Sequence, residues 1–179
     1  MTPHHTRIGA LSRVLHWFVT LAMIAIPLGI LVAFATGAMS EARLRAAYPN
    51  VQLPAEITLI GWVTVMLVLT VSLALVLAAL WQMRCLFALY TRGEVLGHEA
   101  AARILKIGQV LLALAVIGVL GNTLSVLALT FANPEGARSL SVAFSSNDLF
   151  LAFAGGLLTV IGWAMVDAAR IADENASFV

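Results

Sequence analysis

The chain has 179 residues, of which 61% are hydrophobic and 11% charged, against roughly 45–50% apolar and 25% charged in an average soluble domain. So much apolar surface exceeds what a soluble core of this size can hide. Ten Lys and Arg against nine Asp and Glu leave a net charge of +1, too little to gather nucleic acid or an acidic substrate, and the single cysteine, Cys85, excludes an intramolecular disulfide and an all-cysteine metal site.

A membrane-spanning helix needs about 20 mostly apolar residues to cross a hydrocarbon core of about 30 Å. The first stretch that qualifies covers about residues 14–35, behind Arg7 and Arg13. Basic residues before an apolar run that ends near Ala33, Ala35 and Ala38 imitate a secretory signal, but signal cores span only about 7–15 residues. The segment is therefore expected to remain as a helix. Pro27 within it removes one backbone donor, frees the carbonyl of Met23 and predicts a kink. The loop that follows, about Ser40 to Glu56, carries Glu41, Arg43, Arg45, Tyr48, Pro49 and Pro54, which predicts a short amphipathic turn and then an extended piece.

The second span covers about residues 57–81. Beyond it Leu86, Phe87, Leu89 and Tyr90 continue the helix until Thr91-Arg92-Gly93 supplies a glycine stop. A new helix then starts, with Glu99 in its first turn, where negative charge suits the helix dipole, and Arg103 four residues on as its ion-pair partner. A hairpin over about residues 84–106 should thus protrude from the membrane. The third and fourth spans cover about residues 107–131 and 149–166. Between them Asn133-Pro134-Glu135-Gly136 reads as a turn. Leu140, Val142 and Phe144 then alternate with Ser139, Ser141 and Ser145, which predicts a short extended or β-like segment in the third loop. None of the four spans contains Lys, Arg, Asp or Glu, and each is apolar on all faces, as lipid surroundings require.

Positive residues set the orientation. Arg7, Arg13, Arg84, Arg92, Arg103, Lys106 and Arg170 fall on one side, and Arg43, Arg45 and Arg138 on the other, so both termini are expected in the cytoplasm. Trp17, Trp81 and Trp163 then lie near the cytoplasmic interface, and Phe34, Trp62, Phe131 and Phe150 near the opposite one, as interfacial anchors.

Polar residues inside the spans are the first functional candidates. His16, Gln82, Gln109 and Asp167 lie at the ends of the spans, and Asn122 lies farther in. Asn122, flanked by Gly118, Gly121, Thr123 and Ser125, is expected to bond across helices, with a small-ligand patch as the alternative. Asp167 should share its depth with Gln82, Arg84 and Lys106 and join them in a charge network. The pairs Ala74 with Ala78 and Ala152 with Gly156 have the four-residue spacing that lets helices approach closely.

The segment Arg13-Val14-Leu15-His16-Trp17 resembles the opening of cytochrome b561 type membrane proteins, a resemblance that implies a haem at His16. A bis-histidine haem needs a second histidine at matching depth, yet His4, His5 and His98 all lie outside the spans. No cofactor is therefore expected. No catalytic set is expected either, because the spans hold no paired carboxylates, no HExxH, no glycine loop with a Walker lysine and no serine with a histidine at usable depth. A metal would have to be held by His4 and His5, and none is predicted.

Two phrases carry a second resemblance. The first is Leu86-Phe87-Ala88-Leu89-Tyr90-Thr91-Arg92-Gly93-Glu94-Val95, and the second is Ala172-Asp173-Glu174-Asn175 with the final Val179. Together they resemble the bacterial membrane family of the domain of unknown function 2975, over about residues 80–179. Gly97-His98-Glu99 departs from the Thr or Pro followed by Glu-Asn that relatives tend to have. The resemblance implies a four-span bacterial inner-membrane protein, often with a small helix-turn-helix regulator as genomic neighbour. It implies no reaction.

The expected fold is an all-α integral membrane protein, a single four-span domain over residues 1–179 with its helices in an antiparallel bundle. The expected role is that of a non-enzymatic regulatory or accessory subunit in contact with the lipid bilayer and with a protein partner or a second copy of itself. Partner contacts are assigned to Arg84, Arg92, Glu94, Glu99, Arg103, Lys106, Asp173 and Glu174. The alternative is a small membrane carrier or a b-type haem redox module.

Overall fold

A computed structural model describes residues 3–37, 40–49, 51–94, 97–134, 142 and 144–176. Four long helices and one short one account for nearly all of them: α1 (Pro3–Ala35), α2 (Glu41–Ala47), α3 (Leu59–Thr91), α4 (His98–Thr130) and α5 (Ser146–Ala176). Each of the four long helices contains an apolar stretch long enough to cross a bilayer. The fold is an all-α, antiparallel membrane bundle.

The helices outrun the apolar stretches that announce them. At 1.5 Å per residue, the 33 residues of α3 and of α4 each reach about 50 Å, well beyond a hydrocarbon core of about 30 Å. As the glycine stop and the helix start around Glu99 predict, α3 continues past the second span to Thr91 and α4 begins at His98, ahead of the third; α5 also runs ten residues past Val166 to Ala176. These extensions stay helical because nothing in Gln82–Thr91 or His98–Lys106 breaks a helix. The stop comes at Gly93, whose φ of 86° suits a residue without a Cβ. There the Gly93 amide donates to the Tyr90 carbonyl and the Glu94 amide to the Leu89 carbonyl, the paired bonds of a Schellman ending.

Among the long helices, contacts run in chain order: α1 packs on α3, α3 on α4, and α4 on α5. Helices α1 and α5 thus form the two edges of a row. Helix α4, held on both sides, supplies half of the buried residues among those described, including Ala100, Ala101, Ile107, Gly108, Ala115, Gly121, Val126 and the fully covered Leu129. Small side chains permit this approach. A Cβ on Gly108 would lie 2.5 Å from the Thr159 backbone nitrogen, one on Gly155 2.8 Å from that of Leu112, and one on Gly162 2.6 Å from the Leu105 Cα. On the other side of α4, a Cβ on Gly121 would press against Val68 of α3 at 2.5 Å. Close packing of small residues is the attraction available to helices surrounded by lipid tails. The expected pairs are corrected accordingly, since Gly156 has open space around it and Ala74 is exposed.

Large apolar side chains cover the outward faces, among them Phe18, Leu21, Leu28 and Leu31 on α1 and Phe150, Phe153, Leu157 and Val160 on α5. In water such surface would drive aggregation; in a bilayer it is solvated by lipid. Helix α1 passes through Pro27 as one continuous element.

At one end, α2 is the short amphipathic turn expected of the first loop. Arg45 pairs with Glu41 and donates to the carbonyls of Pro54 and Ala55 at 2.6 and 2.9 Å. Asn133 Nδ2 donates to the Gln52 carbonyl at 2.7 Å, tying the third loop to the first. The extended segment expected in the third loop falls largely outside the described residues. Val142, Phe144 and Ser145 are described, and they are irregular coil, so there is no strand among the described residues.

Candidate functional site

The opposite end, which bears Arg13, Arg84, Arg92, Arg103, Lys106 and Arg170, gathers most of the charged residues named from the sequence, and is called the basic end below. Leu86 and Leu89 of α3 pack there with Ala100 and Ile107 of α4, and Met83, Tyr90, Ile104, Leu111 and Leu158 close over them. This apolar cluster fixes the hairpin as a rigid unit. On its flank Arg103 reaches two acceptors, the Gln82 Oε1 at 2.8 Å across the helix pair and the Glu99 Oε1 at 3.1 Å along its own helix. The pair expected from the four-residue spacing is therefore present, and Gln82 joins it because antiparallel packing sets α3 and α4 in that register. Exposed i,i+4 pairs contribute only about 0.3–0.5 kcal/mol. The bond to Gln82 crosses between helices and so fixes their register as well.

Arg92, Glu94, Lys106 and Asp173 are exposed, and Glu174 lies 3.8 Å from Arg170, both outward on α5. Asp167 does not join Arg84, Gln82 and Lys106. It is exposed on α5, and α5 touches α4 but not α3. The packing that sets Gly162 against Leu105 and Gly155 against Leu112 places Asp167 beyond Lys106, toward Ala100, and Gln82 and Arg84 lie on α3, which α5 does not touch. Gln109 is likewise exposed, on the same outward stripe of α4 as Lys106, Val116 and Leu120.

His16 faces α3. Its Nδ1 lies 3.2 Å from the Arg84 carbonyl oxygen; a carbonyl only accepts, so Nδ1 carries the proton and Nε2 is left for other partners. Arg84 itself places its guanidinium 5.4 Å from the centre of the Trp81 ring. Its Nε is buried with no hydrogen-bond partner, a condition that costs about 1–3 kcal/mol for a buried donor. Around these two residues Arg13, His16, Arg84, Ala88, Thr91 and Arg92 line a groove of about 580 Å³ between α1 and α3. This basic groove was not legible in the sequence, because Arg13 and Arg84 lie 71 positions apart and only the antiparallel register brings them together.

Comparison with protein-family models, curated proteins and solved structures returned no match.

Nearer the other end, Asn122 is half-buried and its side chain bonds to nothing among the described residues, contrary to the interhelical bond expected of it. It borders a cavity of about 310 Å³ with Gly118, Phe144, Ser145 and Asp148. The sequence reading passed over Asp148, which lies one residue before the apolar run of the fourth span. Its carboxylate accepts from the Ser145 amide and hydroxyl at 3.0 and 2.7 Å, while its own amide donates to the Ser145 hydroxyl at 3.1 Å. This reciprocal arrangement is a capping box at the start of α5, with Asp in the position usual for Glu. The other carboxylate oxygen rests against Gly118, where a Cβ would collide with it.

Among the described residues no three His, Cys, Asp or Glu side chains come together as a metal site would need. His98 begins α4, which does not touch α1, so α3 separates it from His16.

Proposed function

We propose that the chain is a non-enzymatic accessory or regulatory subunit of a bacterial inner membrane, with both termini in the cytoplasm, and that it engages a protein partner through the hairpin and the end of α5. The observation that carries this reading is that α3, α4 and α5 all run past their apolar stretches at the same end. A lipid-spanning role alone does not call for those extra turns. They present Arg92, Glu94, Glu99, Lys106 and Asp173 outward on a base that the Leu86 cluster and the Arg103–Gln82 bond hold rigid. A pre-organised charged surface loses little entropy on binding, and charge sets partner choice and on-rate. Kinship with the family of the domain of unknown function 2975 belongs to the same proposal and rests on the Arg92-Gly93-Glu94 turn and the Asp173-Glu174 ending.

The test uses the full chain in native membranes, with a photo-crosslinking residue at the exposed Glu94 and a combined Arg92→Glu, Glu99→Lys, Arg103→Glu variant. The exchange at Glu99 and Arg103 keeps an ion pair along α4 while inverting the surface. A single crosslinked product is expected from the wild-type background, reduced at least about tenfold in the variant, as loss of a few interfacial charge pairs predicts. An unchanged product would overturn the reading.

The cavity where Asn122 and Asp148 meet supports a second reading, a small membrane carrier. Transport activity abolished by Asp148→Asn in reconstituted vesicles, with the hairpin variant fully active, would favour it.

A further inference from the structure

We infer that the groove between α1 and α3 at the basic end binds the phosphate group of an anionic glycerophospholipid. This goes beyond the partner reading and does not depend on it.

Three arginines from two helices face one groove, and no carboxylate lines it among the described residues. Cations gathered in this way repel one another wherever the surroundings are poorer in water than bulk solvent. Arg84 lines the groove through atoms other than its Nε, which the protein covers, while its guanidinium face is committed to Trp81. The missing complement is an anion with several acceptor oxygens. Phosphate provides these, and the planar fork of arginine matches it. At about 580 Å³ the groove lies within the roughly 300–1,000 Å³ of sites that hold small organic ligands, ample for a headgroup.

Depth decides between a lipid and a phosphate free in solution. Trp17 on α1, next to His16, is 70% exposed, and Trp81 on α3, beneath Arg84, is 47% exposed. Tryptophans on membrane helices settle at headgroup level. The arginines therefore sit where lipid phosphates are most concentrated, and Leu11, Val14 and Phe18 offer apolar surface on the neighbouring outward face of α1 along which acyl chains can lie. Basic pockets between membrane helices are recurrent headgroup sites.

The purified full chain, stripped of lipid in mild detergent, is titrated with phosphatidylglycerol, phosphatidylcholine or inorganic phosphate, and bound species are counted by native mass spectrometry. Phosphatidylglycerol is expected to bind as one retained molecule, at least about tenfold more tightly than phosphatidylcholine. The Arg13→Gln, Arg84→Gln variant should lose roughly fivefold in affinity per arginine. Arg43→Gln, at the opposite end, should lose nothing, and unchanged circular dichroism of each variant shows that it has folded. Equal retention of both lipids, or equal loss in the Arg43→Gln control, would overturn the site. Binding of inorganic phosphate without retention of phosphatidylglycerol would overturn the lipid assignment.

Discussion

Arg84 meets two demands at once: its carbonyl receives the His16 Nδ1–H, and its guanidinium lies over Trp81. Trp81 and Arg84 are three residues apart on one helix, where spacing alone makes them neighbours, but the His16 contact does not follow from the local sequence, because it depends on the rotation of α3 about its own axis as well as on depth. The same limit explains Asp167, whose separation from Lys106 and Arg84 depends on how α5 is set against α4. Glu99 and Arg103 were legible as a pair because both lie on one helix, where spacing alone sets direction. Glycine gives the most direct test at this scale. Gly155 and Gly156 are adjacent, yet a Cβ on Gly155 would meet the α4 backbone at 2.8 Å whereas one on Gly156 would meet nothing within 4 Å. Gly155→Ala should therefore destabilise by about 1–3 kcal/mol through overpacking. Gly156→Ala should stabilise by roughly 0.5–1 kcal/mol by removing a flexible residue from a helix interior. Denaturant unfolding in detergent micelles reads both, and shifts of the same sign would refute the proposed approach of α4 and α5.

At the scale of the element, hydropathy located all four spans, and the glycine stop with the helix start at Glu99 placed the hairpin beyond them, but the continuation of α5 from Val166 to Ala176 was not legible. The reason is physical: an apolar run reports where hydrocarbon begins and ends, whereas a helix continues until its backbone is interrupted. Gly93 is such an interruption, and it was visible as a stop before the geometry was known. With φ at 86°, Gly93→Ala forces a left-handed conformation on a residue with a Cβ, at a cost of about 1–2 kcal/mol. The Arg92 and Glu94 amides, which bond back to Leu89, should then exchange hydrogen faster, while amides near Val68 keep their protection. Unaltered exchange at Arg92 and Glu94 would mean that the turn does not depend on its glycine.

For the whole molecule, the order of contacts matters more than the number of helices. The sequence indicated four antiparallel spans, but many arrangements of four helices satisfy that description. Only the positions of small residues, Gly108 of α4 with Gly155 and Gly162 of α5 at one contact and Gly121 of α4 at the contact with α3, select a row with α1 and α5 at its edges. A chain carrying Cys85→Ser, Leu21→Cys and Val160→Cys should form no disulfide within one molecule under mild oxidation, because α1 and α5 do not touch. An intramolecular bond would require a closed ring of helices.

The row also bears on how the protein is made. Each long helix rests on the one that precedes it, so every contact can form as soon as the next span leaves the ribosome, and no early helix must wait for a late one. Biogenesis can then proceed by successive addition at a growing edge, with short loop closures throughout. The most recently inserted helix always forms one edge of the row, with α1 at the other.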